Sequence, residues 1–227
     1  MKHTLTTLLL LLTTALTLAA QTALTPQQWR DSLAALNQQI DRQPQSTDLR
    51  LKKAAVNIEL NQWEYAIEEY GNVLRIEPSN LAALFYRAYA HTTLRHYGLA
   101  RADYESFLKI APINLEARLG LATVCERMGR ITDAMDELNR AVQMFPDSAV
   151  AYAARALFET GQKQYEPALY DWTEAIRRRP GNTAYVVSKV DLLLQLGRRK
   201  EARRELDDAI RRGEPRSALK EWFDRCR

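Results

Sequence analysis

The sequence predicts an all-α protein built from five antiparallel helical hairpins, on three observations. Prolines recur at intervals of 34 residues, at Pro44, Pro78, Pro112, Pro146 and Pro180. Small and large apolar residues recur in phase with these prolines. Glycine and proline are scarce, at 8 each among 227 residues, which disfavours a loop-rich β protein. A fixed period of this length is the signature of a repeat architecture.

The repeat units follow from the proline phase. Starting each unit three residues after its proline gives units at 47–80, 81–114, 115–148, 149–182 and 183–216. Position 8 is small in most units, with Ala54, Ala88, Ala122, Ala156 and Val190, and position 20 is always alanine, with Ala66, Ala100, Ala134, Ala168 and Ala202. Position 24 is large, with Tyr70, Tyr104, Leu138, Trp172 and Leu206. Small residues let two helices approach closely, and residues three or four apart share one helix face.

The positions of proline and glycine predict where the helices end. The proline at position 32 lies just beyond the second helix and stops it. Gly129, Gly161 and Gly197 lie where the first helix of their unit should end, so each is predicted to form a left-handed helix cap.

Both ends of the repeat array are predicted to carry a covering helix. The segment Thr25-Pro26-Gln27-Gln28 reads as a capping box for an N-terminal helix within residues 21–46, with an apolar stripe of Trp29, Leu33, Leu36 and Ile40. Residues 217–227 are predicted to form a C-terminal covering helix, with a stripe of Leu219, Trp222, Phe223 and Cys226. The sequence therefore predicts one continuous domain without a linker.

This pattern resembles the tetratricopeptide repeat family over residues 47–216. The resemblance rests on the 34-residue period, alanine at positions 8 and 20, an aromatic residue or leucine at position 24, and proline at position 32. It implies a right-handed superhelical solenoid whose first helices line a concave groove. The chain departs from the family at position 4, which holds Arg50 and Arg118, and at position 7, which holds Lys53, Arg87, Arg155 and Lys189.

The resemblance also implies which residues face the groove. Carrying over positions 2, 5, 6 and 9 gives seven predicted partner-binding residues: Leu51, Phe85, Tyr86, Tyr89, Leu119, Val150 and Leu157. Aromatic residues suit binding sites because they bury a large area with few rotors to freeze. The alternative is that these residues pack into the superhelix.

Family members that hold a C-terminal carboxylate use Lys and Asn at positions 5 and 9 of one unit, Asn at position 6 of the next, and Lys and Arg at positions 2 and 6 of the third. The matching places here, counted from the first unit, are Leu51, Ala55, Tyr86, Glu116 and Gly120. Because none of these matches the family's residue, no carboxylate clamp is predicted.

Positive charge is concentrated at the C-terminal end. From Arg177 onward the chain carries 15 Lys and Arg against 8 Asp and Glu, although the whole chain has a net charge of only +4. Three interpretations stand: a solvated face whose charges pair with one another, a surface for an acidic partner or anionic membrane, and a nucleic-acid surface. Export and the lack of an aromatic reading motif disfavour nucleic acid.

The first 20 residues are predicted to be a cleaved signal peptide. Lys2 is followed by an uncharged run from Thr4 to Leu18, and Ala19 and Ala20 provide small residues at the cut. The alternative is a retained membrane anchor, but the run is shorter than the roughly 20 residues that span a bilayer. A lipoprotein is not predicted, because there is no cysteine near the cleavage site. No second apolar run long enough to span a membrane follows in the sequence. The prediction is export to the periplasm or outer envelope of a bacterium.

The sequence holds no recognisable catalytic, metal or cofactor motif. Position 11 holds Asn57, His91 and Cys125 in successive units, which in principle is a nucleophilic set, while the alternative is a polar ladder between hairpins. His91 and His96 are five apart, which places them on different faces of a helix, without neighbouring ligands. Cys125 and Cys226 are about three repeats apart and are predicted to be separate thiols.

These features together predict a protein-interaction scaffold or adaptor that holds a segment of a partner in the groove, rather than an enzyme. A periplasmic assembly chaperone and an accessory domain of an enzyme complex are the alternatives.

Overall fold

The computed structural model describes residues 24–226. The predicted signal peptide at residues 1–20 therefore lies outside the described residues. Residues 24–226 form twelve α-helices and one short 3-10 turn, and this part of the chain contains no β-strand. The all-α class built from repeated helical hairpins is confirmed.

The helices follow one another with short connections. In chain order they are α1 (Pro26–Arg42), α2 (Thr47–Glu59), α3 (Trp63–Ile76), α4 (Leu81–Thr93), α5 (Tyr97–Ile110), α6 (Leu115–Arg127), α7 (Ile131–Met144), α8 (Ala149–Gly161), α9 (Tyr165–Arg178), α10 (Thr183–Gln195), α11 (Arg199–Arg211) and α12 (Lys220–Arg225). Each of the five predicted units holds one hairpin, made of a first helix of 13 residues and a second helix of 13 or 14 residues.

A capping side chain fixes the start of every first helix. The residue before each first helix is serine or asparagine, and its side-chain oxygen accepts a hydrogen bond from a backbone N–H of the first turn. These residues are Ser46, Asn80, Asn114, Ser148 and Asn182. The predicted capping box of α1 is confirmed, because Thr25 accepts from the backbone of Gln28 and the Gln28 side chain accepts from the backbone of Thr25.

Each first helix ends in a Schellman motif, in which two backbone N–H groups return to the last turn. The left-handed residue of the motif is position 15 of every unit, namely Asn61, Arg95, Gly129, Lys163 and Gly197. Gly129 and Gly197 were correctly predicted as caps. The prediction for Gly161 is wrong, because Gly161 is the last residue of α8 and Lys163 takes the left-handed conformation, with φ of 60°.

The contacts divide the described residues into two compact units, residues 24–83 and 84–226. The sequence predicted one continuous domain without a linker, and this stays a prediction. The core of the first unit is a cluster of buried residues, Ala54, Ala66, Tyr70, Val73 and Ala83. The second unit has a larger cluster that includes Trp172, Leu206 and Phe223, and it runs from α8 to α12.

A buried ion pair lies inside each hairpin and accounts for the departures from the family pattern. Position 23, on the second helix, is acidic in all five units: Glu69, Asp103, Glu137, Asp171 and Glu205. Each of these carboxylates binds a cation from position 4 or 7 of the first helix in its own hairpin. The positions that the family fills with large apolar residues therefore hold the basic partners of a buried acid.

The C-terminal segment covers the last hairpin of the second unit. It forms a 3-10 turn (Arg216–Leu219) followed by α12, where the sequence predicted one helix. Leu219 and Phe223 are buried, and the Trp222 indole N–H donates to Asp191 on α10 at 3.1 Å. Among the described residues, the helices are too short or too polar to cross a membrane.

Candidate partner-binding site

The predicted groove residues fall in both compact units. Leu51 belongs to the first unit, where it is half-buried and packs against the cluster around Tyr70. The other six residues, from Phe85 to Leu157, belong to the second unit.

Four of the six in the second unit expose apolar surface on the first helices. Tyr86 and Tyr89 on α4 expose 48% and 47% of their surface. Val150 and Leu157 on α8 expose 39% and 61%. Leu119 on α6 is half-buried. Exposed apolar side chains on α4 and α8, with the half-buried Leu119 on α6 between them in the chain, are the kind of surface that the predicted groove requires.

Phe85, the sixth of these residues, packs against neighbouring aromatic rings. Its ring is half-buried and makes edge contacts with Tyr86, Tyr104 and Phe107, with centroid separations of 5.3, 5.8 and 5.8 Å. Edge-to-face aromatic packing of this kind holds rings in place. Phe85 therefore links the exposed Tyr86 to the interior of its hairpin.

A complementary pair of residues closes the space between the second and third hairpins. Tyr104 at position 24 is 3% exposed, and burial raises the pKa of its hydroxyl to about 12. A Cβ atom added to Gly120, at position 6 of the next unit, would lie 2.5 Å from the Tyr104 ring. The large residue of one hairpin thus fits only because the next hairpin has a glycine at this point.

The same two positions leave a pocket between the third and fourth hairpins. Here position 24 is Leu138 and position 6 is Ala154, and both line a cavity of about 210 Å³. We call this cavity the Leu138 pocket; its remaining walls are Leu119, Ala122, Thr123, Glu126, Leu157 and Phe158. Two predicted partner-binding residues, Leu119 and Leu157, therefore line an apolar pocket that the sequence did not reveal.

The environment of Cys125 does not favour nucleophilic chemistry. Burial raises the pKa of the Cys125 thiol and lowers the pKa of the His91 imidazole, so neither group is held in its charged form. An activated cysteine requires the opposite shift in its thiol. Asn57 belongs to the first unit.

The two histidines lie closer together than the sequence predicted. Their ring centroids are 5.7 Å apart, because α4 ends at Thr93 and the following turn returns His96 towards His91. The helical spacing rule therefore does not apply to this pair. Within residues 24–226, His, Cys, Asp and Glu side chains form no group of three or more that could hold a metal ion.

The fourth hairpin contains a second buried carboxylate, one oxygen of which has no hydrogen-bond partner. Asp171, 1% exposed, receives hydrogen bonds from Nε and Nη2 of Arg155 at 2.6 and 2.9 Å, and Nη1 of Arg155 binds Asn139. Each of the three nitrogens of Arg155 therefore donates one hydrogen bond to a residue other than Glu159. Glu159, 6% exposed, keeps a buried Oε2 atom without a hydrogen bond. Burial and the charge of Asp171 raise the pKa of Glu159 to about 7.

Comparison with known proteins agrees with the geometry. Two family models, each described as tetratricopeptide repeat, match residues 56–112 and 93–158. Together with the five capped hairpins, these matches identify tetratricopeptide repeats within residues 56–158, and this repeat fold is a protein-interaction scaffold. No curated protein sequence matches the chain significantly.

Solved structures share the fold at low sequence identity. MamA from Desulfovibrio magneticus RS-1 is 14% identical, with a TM-score of 0.63 over 68% of this chain and 87% of that chain. A tetratricopeptide repeat protein from Parabacteroides merdae is 18% identical, with a TM-score of 0.63 over 88% and 78% of the two chains. YrrB, described as having an unusual peptide-binding site, is 19% identical, with a TM-score of 0.58 over 78% and 91%.

Proposed function

We propose that this protein is a scaffold or adaptor that binds a segment of a partner protein along α4, α6 and α8, with one apolar side chain of that segment in the Leu138 pocket. The observation that carries the proposal is the combination of exposed apolar side chains on α4 and α8 with a pocket lined by residues of α6 and α8, including Leu119 and Leu157.

The size of the pocket favours a peptide side chain over a small molecule. Sites for drug-sized ligands enclose roughly 300–1,000 Å³, whereas the Leu138 pocket encloses about 210 Å³. Hot spots in protein interfaces are anchored side chains in desolvated pockets, surrounded by contacts of smaller effect. Tyr86, Tyr89 and Val150 supply such surrounding contacts. The peptide-binding site named for YrrB supports the same use of the fold.

The pocket can be closed by a pair of substitutions that the molecule already uses elsewhere. Leu138→Tyr combined with Ala154→Gly copies the Tyr104 and Gly120 pair into the next hairpin, so it should fill the pocket while keeping the hairpins packed. We expect this variant, and separately Tyr89→Ala, to lose the partners that affinity capture recovers with the unaltered protein. Mass spectrometry of the captured proteins measures the loss.

The matched control is Tyr170→Ala, because Tyr170 is also an exposed tyrosine of the second unit, at 63% exposure, but it lies on the second helix α9. This control should retain every partner. An unchanged partner set in both Tyr89→Ala and the pocket-closing variant, each with unaltered helical content, would refute the groove as the binding site.

The proposal places the protein in the cell envelope of a bacterium. The support is the layout of residues 1–20, with Lys2, the uncharged run and the alanines before Gln21. We expect the mature protein to begin within a residue or two of Gln21, which N-terminal sequencing of the periplasmic fraction tests. An intact N-terminus in the cytoplasmic fraction contradicts the location without contradicting the groove. A scaffold keeps its partner bound, whereas the alternative, an assembly chaperone, releases the partner once it has assembled.

A further inference from the structure

The cationic side chains of the basic C-terminal region divide into two sets. Most bind carboxylates of the second unit, as in Arg178 with Glu174, Arg198 with Glu201, and Arg212 with Glu205. Between residues 177 and 226, a smaller set forms no ion pair: Arg179, Arg199, Lys200, Arg204, Arg216 and Lys220. The self-paired interpretation therefore holds for the first set and leaves the second set unexplained.

Two of the unpaired cations line the same cavity. A cavity of about 470 Å³, which we call the Phe223 pocket, is lined by Arg203, Arg216, Ser217, Lys220, Phe223 and Asp224. The guanidinium carbons of Arg203 and Arg216 lie 4.5 and 4.7 Å from the centroid of the Phe223 ring. Phe223 itself is 4% exposed and fixed in the core of the unit.

This arrangement pre-organises two guanidinium groups. Cation–π contact with a buried ring restricts both arginines and leaves their N–H groups available to a ligand. The nearest carboxylate to Arg203 is that of Asp207, at 3.6 Å, which is beyond good hydrogen-bond distance. Side chains that are already ordered lose less entropy on binding, so an anion bound here meets a lower cost than on flexible surface cations.

We propose that the Phe223 pocket binds an acidic peptide segment of a protein partner, with carboxylates on Arg216 and Lys220. Three cations face the single carboxylate of Asp224, so the pocket carries an excess of positive charge. The planar donor edge of an arginine matches a carboxylate in a two-point hydrogen bond. Carboxylates spaced along a peptide can each reach one of the separate cations while staying away from the negative charge of Asp224. A compact dianion such as a phosphate group is less able to do both. The pocket lies on α11, the 3-10 turn and α12, so it is independent of the groove.

The proposal is tested with a fluorescein-labelled peptide of alternating glutamate and glycine, whose binding to the full chain is followed by fluorescence anisotropy at low salt. Arg216→Ala combined with Lys220→Ala removes two exposed cations of the pocket. The matched control, Lys200→Ala combined with Arg204→Ala, removes the same charge from unpaired, exposed positions on α11 outside the pocket. Circular dichroism checks that each variant is folded.

We expect the pocket variant to weaken peptide binding about tenfold and the control to change it less than about twofold. Tyr89→Ala should leave this binding unchanged, which separates a failure here from a failure of the groove. Equal weakening in the two double variants would overturn the proposal, because net charge alone would then explain the binding. The absence of peptide binding would also overturn the proposal. Binding to phosphatidylglycerol vesicles is measured in parallel, and binding of the vesicles alone would indicate a membrane surface instead.

Discussion

The third and fourth hairpins, at residues 115–148 and 149–182, meet the same structural demand with different residues. In the third, Arg118 from position 4 binds Glu137 at 2.5 Å and the carbonyl of Pro112 at 2.7 Å. In the fourth, position 4 is Tyr152, and Arg155 from position 7 binds Asp171 through two nitrogens. The buried acid at position 23 is constant, while its cation comes from either of two places on the facing helix.

The difference shows which part of the ion pair the fold requires. Positions 4 and 7 are about one helical turn apart, so both lie on the face that meets the second helix. Either position can therefore neutralise the acid. The choice has a further consequence, because position 11 of the fourth hairpin adds a second carboxylate, Glu159, where the third hairpin has Cys125.

The largest expected effect is the loss of stability on removing the buried acid at position 23, and it should differ between Glu137 and Asp171. Glu137→Ala should destabilise the protein by about 3–5 kcal/mol, because it leaves Arg118 buried without a carboxylate. Asp171→Ala should cost less, since Glu159 is buried beside Arg155 and can take over as its partner. Urea unfolding followed by circular dichroism measures both losses.

If Asp171→Ala lowers the free energy of unfolding as much as Glu137→Ala does, Glu159 does not act as a substitute partner for Arg155. The double variant Asp171→Ala with Glu159→Gln supplies the control, because it removes the substitute carboxylate. Its destabilisation should approach that of Glu137→Ala.

The hairpin frame was predictable, and the pairing within it was not. Alanine at position 20 and a large residue at position 24 recur in every unit, and proline at position 32 recurs in the first four, so the period is visible in one sequence. The cations alternate between two columns, as with Arg118 and Arg155, so no basic column recurs in all five units. The acid at position 23 does recur in every unit, and this was the signal that could have revealed the ion pairs.

The Leu138 pocket could not be predicted for a related reason. It depends on position 24 of one hairpin and position 6 of the next, a relation between units that periodicity alone does not display. The wrong prediction for Gly161 has a simpler cause. Gly161 is position 13 of its unit, two residues before position 15, where Gly129 and Lys163 adopt the left-handed conformation.

The second expected effect concerns pH and belongs to the fourth hairpin. The pKa of Glu159 is raised from its ordinary 4.5 to about 7 in the folded chain, chiefly by burial and then by Asp171, while Arg155 opposes the shift. Its contribution to stability is complete below about pH 4.5 and is lost as the pH rises through 7. Glu159→Gln should therefore increase the free energy of unfolding by about 1–2 kcal/mol at pH 8 and change it little at pH 4.

Chemical denaturation of both proteins across this pH range measures the difference. Glu174→Gln is a control of opposite sign, because hydrogen bonds from Arg177 and Arg178 lower the pKa of Glu174. That variant should lose stability at neutral pH and converge with the unaltered protein as the pH falls. A Glu159→Gln protein with the same pH profile as the unaltered chain would contradict the unpaired state of this carboxylate.

The smallest expected effect comes from the turns that join the helices of the two hairpins. Gly129 and Lys163 share the left-handed position, with φ of 73° and 60°. Placing a residue with a Cβ atom in this conformation costs roughly 1–2 kcal/mol. Glycine avoids this strain, but it loses more conformational entropy on folding, which offsets part of the gain. Lys163→Gly should therefore stabilise the protein by about 0.5–1 kcal/mol, and Gly129→Ala should destabilise it by about 1 kcal/mol.

Gly161, the last residue of α8, provides the decisive counterpart, because it lies in a helix and an added Cβ atom would meet no atom closer than 4.0 Å. Alanine is favoured over glycine within a helix by up to about 1 kcal/mol. Gly161→Ala should then raise the thermal midpoint while Gly129→Ala lowers it. The same substitution would thus act with opposite signs in neighbouring hairpins, and equal signs would show that position 15 does not require the left-handed conformation.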